Sequence, residues 1–443
     1  MEAGASRFEH LREHSIGLPQ VLFQSITHMA PAAAVAYSIF ISVPQARQAL
    51  PLSVALALIA CICAATAIGQ LAKLFPSAGG MYTYTAKTLG PWAGFLVAWL
   101  FILFQPLVAP FLYLEFGWAM SDVFSNSIGW HYSGQWWVWV ALMTVIVFLL
   151  TYRDIRLSTT AGVILGAFEI AIFAALALWM MFSNAGHLNL QPFNPHHAVN
   201  DWSGVFKGMV FAILAFIGFE ASAPLGEEAR NPRRNLAKVF WGGGWVLVFL
   251  AICNSIAANS NAAVNAATRV FYSLARNGLA PRQLGHTHKQ FKTPNVAIIW
   301  MSAFALAISL AFGWKWGALN GFFTIATLAV PPVIIVYMLV SVGSIYWYWT
   351  KARSEFNWLL HFVLPIGGIV LFFFPLYYQF VKYPPAYPEK YGNWVDIAWV
   401  ILGIALTAFV VLLRPDKLKD IDRVYVEDET VAPQSGAAAS PAS

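Results

Sequence analysis

Two carboxylates stand where water is scarce. Glu220 lies in the run 203–224 and Glu169 in the run 159–182, both otherwise apolar. Burying a carboxylate deep in such a run costs roughly 2.5 to 3.5 kcal/mol unless it is protonated or paired. Chemistry suited to such positions is proton exchange, ion coupling or gating, and the plain alternative is a structural hydrogen bond. Glu115 falls about 23 residues past Pro91, near the outer end of its run, where an interfacial place is cheaper and a structural role is expected. His28, close to Pro31, has the side chain whose ordinary titration is nearest neutral pH, so it can exchange a proton or donate to a ligand. A lone helical histidine also serves as a hydrogen-bonded fixture. Ser260 and Asn261 belong to a polar, small-residue run from 254 to 261. Asn254, Asn261 and Asn265 share one helical face. Such a face is suited to gluing two helices together.

Hydrolytic and metal chemistry find no such support. The sequence has no H-E-x-x-H, no G-x-S-x-G and no phosphate-binding G-x-x-x-x-G-K motif, so no catalytic residue, metal or cofactor is expected. Cys61, Cys63 and Cys253 all lie within apolar runs, which suits small packing residues better than a disulfide framework.

These residues need elements that survive in lipid. The chain has 443 residues, 59% of them hydrophobic and 10% charged, with a mean hydropathy of +0.63. An ordinary soluble domain carries about 25% charged residues. An all-α, multi-pass membrane protein is the class that fits, because a helix of about 20 apolar residues satisfies its own backbone in the bilayer. Eleven candidate spans read out at 21–43, 52–75, 92–120, 135–152, 159–182, 203–224, 240–266, 294–312, 320–348, 358–380 and 394–413. Aromatic clusters such as 136–139, 346–349 and 377–378 sit at their ends, as interfacial belts do. Residues 1–20 read as a cytoplasmic N-terminal tail, 21–413 as the transmembrane domain and 414–443 as a cytoplasmic, largely disordered C-terminal tail. The net charge of +6 calls for no nucleic acid, since the basic residues occupy loops whose topology accounts for them.

Charge placement exposes a discontinuity. With the N-terminus inside, Lys73 and Lys87, then Arg153 and Arg156, then Arg230, Arg233, Arg234 and Lys238 follow the even-numbered spans, as the positive-inside rule asks. Basic residues then flank both ends of 240–266, from Lys238 before it to Arg269, Arg276, Arg282, Lys289 and Lys292 after it. One crossing cannot leave both ends inside. The stretch 237–274 is too short for two crossings. A helix is therefore expected to be absent between Lys238 and Trp241, or else 240–266 does not cross in the ordinary way.

The motifs supply a resemblance. The loop Phe75-Pro76-Ser77-Ala78-Gly79-Gly80-Met81-Tyr82, followed by Gly90 and Gly94, is similar to the signature loop of amino acid permeases of the amino acid–polyamine–organocation superfamily. Gly218-Phe219-Glu220 with 226–234 resembles that family's sixth helix and the cytoplasmic loop after it. The stretch 269–281 with Thr293-Pro294 resembles the end of its eighth helix and the adjoining loop. The resemblance runs from Gln24 to about Arg414. Family members usually have twelve helices, so the missing piece corresponds to the seventh.

The resemblance implies a LeuT-like inverted-repeat fold with broken first and sixth helices. Pro31 removes a backbone donor mid-span, and Gly218 permits unwinding. Freed amides and carbonyls would then hold the carboxylate and ammonium of a substrate. On this reading the substrate-binding residues are Thr27, His28, Met29, Ala30, Pro31, Ala32, Ala33, Phe216, Ile217, Gly218, Phe219 and Glu220, with Phe216 as an aromatic gate or plain packing. Glu169, Glu220, Ser260 and Asn261 are the candidates for coupling or gating. A simple kink at Pro31 and a packing contact at Gly218 are the competing account.

The expected activity is secondary transport of amino acids or related amines across the cytoplasmic membrane by alternating access, with a proton or sodium as possible partner and lipid as the surroundings. The fifth span has no lysine in its apolar stretch, so the lysine that replaces sodium in some proton-coupled relatives is not visible; proton coupling or exchange is the mode expected. The alternative is a transport-defective relative or a membrane sensor, owing to the missing helix.

Overall fold

The computed structural model describes residues 11, 16–29, 34, 39–122, 125, 135–153, 155–183, 189–225, 256–382, 385, 387–418 and 421. Their α-helices in chain order are α1 (Leu18–His28), α2 (Phe40–Ala46), α3 (Leu50–Leu74), α4 (Met81–Leu89), α5 (Pro91–Asp122), α6 (Trp136–Arg153), α7 (Ile155–Ser183), α8 (Trp202–Leu214), α9 (Ile256–Arg276), α10 (Asn295–Trp316), α11 (Ala318–Thr350), α12 (Leu364–Tyr377) and α13 (Lys390–Leu413). Seven described stretches are long and apolar enough to cross a membrane: Ile41–Leu74, Pro91–Asp122, Trp136–Arg153, Asn295–Trp316, Ala318–Thr350, Leu359–Lys382 and Lys390–Leu413. The chain is a multi-pass α-helical membrane protein.

Most helix ends fall within a few residues of their sequence positions, because Pro and Gly punctuate them. Pro51, Pro91 and Pro365 stand in first turns, where the missing N–H costs nothing. Gly317 joins α10 directly to α11, so these two spans run antiparallel. The centre of the bundle is α5 against α11, both largely buried, whereas α13 exposes Ile401, Ile404, Leu412 and Leu413. That apolar surface is left uncovered by the described residues, as suits a helix at the edge of a bundle. α13 is fastened to α5 by a reciprocal clasp. Trp99 Nε1 donates to the Trp399 carbonyl at 2.9 Å, Trp399 Nε1 donates to the Trp99 carbonyl at 3.0 Å, and the rings stack with centroids 4.3 Å apart.

The sixth span shows the expected break, whereas Pro31, where the first break is expected, lies outside the described residues; α1 ends at His28. The sixth span is α-helical to Leu214 and then tightens. Phe216 N–H donates to the Ile213 carbonyl at 2.8 Å, Ala221 N–H to Gly218 at 2.9 Å and Ala223 N–H to Glu220 at 2.8 Å, the three-residue spacing of 3-10 turns. The signature loop lies against this region. Gly80, at φ +54, opens α4 where a Cβ would sit 3.5 Å from Pro224. Tyr82 OH lies 2.5 Å from Ser273 Oγ and accepts from Asn277 Nδ2 at 3.1 Å, which ties the loop to the end of α9.

One expectation needs correction. The segment expected to end at 266 continues helically to Arg276, so Arg269 and Arg276 belong to a helix instead of a loop. Arg269 is wholly buried, and its Nη1 donates to Asn265 Oδ1 at 3.1 Å. In the stretch expected as the C-terminal tail, Leu418 and Ile421 are buried in the main core. The N-terminal tail likewise enters the fold: Ile16 joins that core, while Leu11 packs with Ala78 and Tyr272. An apolar side chain within a polar stretch carries too little periodicity to reveal such docking. The link at 226–255, where a helix is expected to be missing, and the tail beyond 421 lie outside the described residues.

Candidate functional site

The end of α1 and the unwound sixth span meet backbone to backbone. A Cβ built on Gly218 would fall 2.5 Å from the His28 carbonyl oxygen, and φ there is +116. Only glycine suits that conformation and that approach together. The hydrogen bonds lost by unwinding are replaced by side chains. Gly218 N–H donates to Glu220 Oε2 at 2.9 Å, and Ser222 N–H donates to Ser25 Oγ at 3.2 Å. The Ser25 hydroxyl donates in turn to Ser222 Oγ at 2.9 Å. Irregular backbone inside a membrane protein persists only where such partners exist.

Glu220 is held from two sides. Its Oε2 also accepts from Tyr337 OH at 2.6 Å, and Phe219 stacks obliquely on Tyr337 at 5.1 Å. The pair bridges the sixth-span break to α11, the central helix. Glu220 Oε1 is buried without a hydrogen bond, so one oxygen of the carboxylate is uncommitted. On the other side of the break, Gln24 Nε2 donates to the Ala262 carbonyl at 2.9 Å. Gln105 Nε2 lies 3.3 Å from His28 Nε2 and 3.4 Å from the Ala263 carbonyl oxygen. His28 therefore connects α1, α5 and α9.

Beside His28 lies a cavity of about 20 Å³, lined by Met29, Ala34, Phe111, Glu115, Ile217 and Asn259 among others. That is room for about one water molecule. Val108, Phe111, Leu112 and Glu115 all line it from α5, the i, i+3, i+4, i+7 pattern of one helical face.

The sequence candidates divide accordingly. His28, Met29 and Ile217 line the cavity, with Gly218 and Glu220 immediately behind it. Phe216 and Phe219 are buried in the core. Thr27 turns away: its hydroxyl donates to the Phe23 carbonyl at 2.6 Å, and its methyl faces Gly166 on α7. Ala30, Pro31, Ala32 and Ala33 lie outside the described residues, as does the side chain of Glu169. Ser260 is buried, while Asn261 is engaged between helices. Its Nδ2 donates to the Ser158 carbonyl at 3.0 Å, and its Oδ1 accepts from Ser158 Oγ at 2.7 Å. Asn265 Nδ2 donates to the same Ser158 hydroxyl at 2.6 Å, so these amides join α9 to α7.

Sequence reasoning did not single out Asn259, and it placed Glu115 near the outer end of its span with a structural role. Glu115 is 2% exposed and lines the cavity. Its register with Val108, Phe111 and Leu112 was the available signal for that.

A model of a family described as "Amino acid permease" matches residues 16–250 and 235–409. The chain is 22% identical over 378 residues to the low-affinity putrescine importer PlaP of Escherichia coli (strain K12), covering 72% of this chain and 78% of that protein. It is 25% identical over 312 residues to the branched-chain amino acid permease BcaP of Bacillus subtilis (strain 168), covering 57% and 65%. The serine/threonine exchanger SteT of the same organism is 25% identical over 286 residues, covering 55% and 64%.

Proposed function

The chain belongs to the amino acid permease family and is a transporter of amino acids or amines, and from that premise we propose secondary transport by alternating access around the cavity between the two broken spans. The observation that carries this is the close approach of Gly218 to the His28 carbonyl, since it brings the end of α1 and the unwound sixth span to one point. A substrate's carboxylate and ammonium would meet backbone groups there. The one-water cavity is then the closed state, and opening requires the break segments to part. Glu220, clamped by Gly218 and Tyr337, is the gating or proton-linked group. The expected setting is the cytoplasmic membrane with the N-terminus inside, and exchange or proton coupling is the mode the chain suits.

Uptake of a labelled amino acid and amine panel into proteoliposomes tests it. Ile217→Trp should fill the cavity and abolish substrate binding without unfolding the protein. If Ile217→Trp and Gly218→Trp both left substrate affinity unchanged in a folded protein, the site would lie elsewhere.

A second reading is a transport-defective relative or sensor. It is favoured by the sequence around Lys238 to Trp241, where the expected seventh helix has no room. The two family matches overlap over residues 235–250, the same place, which supports a gap there. Robust uptake by the unmodified chain would remove this second reading.

A further inference from the structure

Glu115 is a buried carboxylate that the fold leaves unanswered. It is 2% exposed, its Oε1 makes no hydrogen bond, and it lines the central cavity from the same α5 face as Val108, Phe111 and Leu112. None of the described residues lining that cavity is Lys or Arg. A desolvated carboxylate without a partner is unfavourable by several kcal/mol, so either a proton or a cation must answer it when the cavity fills. Glu220 differs, because Gly218 and Tyr337 already satisfy one of its oxygens.

The walls narrow the choice. Met29, Val108, Leu112, Leu214 and Ile217 surround the carboxylate with aliphatic surface, which suits methylene groups, and Asn259 adds one side-chain amide. An ammonium brings three donors to an anionic acceptor in a dry place, where charge-assisted hydrogen bonds are strongest. A substrate carrying a side-chain carboxylate would set two anions together with no cation among the lining residues.

Resting on the site proposed above, we propose that Glu115 is the ammonium-recognising group of the cavity and that the preferred substrates are aliphatic amines with an ammonium not balanced by an adjacent carboxylate, such as diamines and basic amino acids. Calorimetry on the full chain in lipid nanodiscs, with putrescine, lysine, leucine and glutamate as probes, tests the assignment. Wild type should bind putrescine or lysine at least tenfold more tightly than leucine, and glutamate least. Glu115→Gln should weaken the cationic probes at least tenfold and leave leucine within about twofold. Glu115→Asp, which keeps the charge, should retain part of the preference and guards against a folding defect in the amide variant. Equal affinity for leucine and the cations in wild type, or cation binding unchanged in Glu115→Gln, overturns the assignment. In that event, loss of leucine binding in Ile217→Trp would leave the cavity standing as the site. Indifference of every probe to Ile217→Trp would bring down the site and the assignment together.

Discussion

At the level of single residues, Gly218 and Glu220 form one device. Gly218→Ala would place a methyl group 2.5 Å from the His28 carbonyl oxygen at a φ that only glycine adopts freely, so it should cost about 1–3 kcal/mol. A fall in melting temperature with lost substrate binding is the expected result. Tyr337→Phe leaves Glu220 Oε2 with Gly218 N–H alone, and a buried acceptor losing a partner costs about 1–3 kcal/mol. Glu220→Gln is more discriminating. A single amide oxygen can accept from both Gly218 and Tyr337, so the fold should hold while the group loses its ability to exchange a proton. The pH profile of uptake should then flatten at near wild-type stability. An unaltered profile at wild-type rates would leave Glu220 a purely structural clamp. The sequence revealed that Glu220 was unusual, but its partner Tyr337 is 117 positions away. No local pattern encodes a pairing across that separation.

Among the elements, periodicity and punctuation made the spans readable, and the break in the sixth span followed from Gly218. What composition could not decide was which face of α9 did what. Asn261 and Asn265 stand four residues apart and both engage Ser158 of α7. Interhelical polar contacts of this kind are worth about 0.6 kcal/mol on average within a membrane. Asn261→Leu should therefore lower thermal stability modestly, and equally with or without sodium chloride. A stability loss confined to sodium-containing buffer would instead identify the amide as part of a cation site. Thr27 shows the same limit from the other direction: it sits at the break, yet its register turns it to Gly166 on α7.

For the whole molecule, the question is where the loops after α9 lie. Arg269 and Arg276 lie within α9, which leaves Arg282, Lys289, Lys292, Lys351, Arg353, Arg414, Lys417, Lys419 and Arg423 as the basic residues that a single crossing by 240–266 would place outside, against Lys315, Lys382 and Lys390 brought inside. The positive-inside rule therefore predicts that the loops carrying those nine are cytoplasmic. Gln290→Cys and Ser354→Cys, both at exposed positions and separated by the antiparallel pair α10 and α11, should label from the same side. In a background without the three native cysteines, right-side-out vesicles should protect both and inside-out vesicles expose both. Labelling of both from outside would overturn this topology. Inserting a seventh helix after Lys238 should raise the uptake rate, and equal rates would mean that the shortened repeat works unaided. The clasp between Trp99 and Trp399 adds an optical consequence. Two indoles stacked 4.3 Å apart and tilted by 15° interact as coupled chromophores, so their near-ultraviolet circular dichroism should carry a signature that depends on α13 staying seated against α5. Subtracting the spectrum of Trp399→Phe would isolate that signal from the other tryptophans, giving a label-free readout of whether the outermost helix detaches as the transporter cycles.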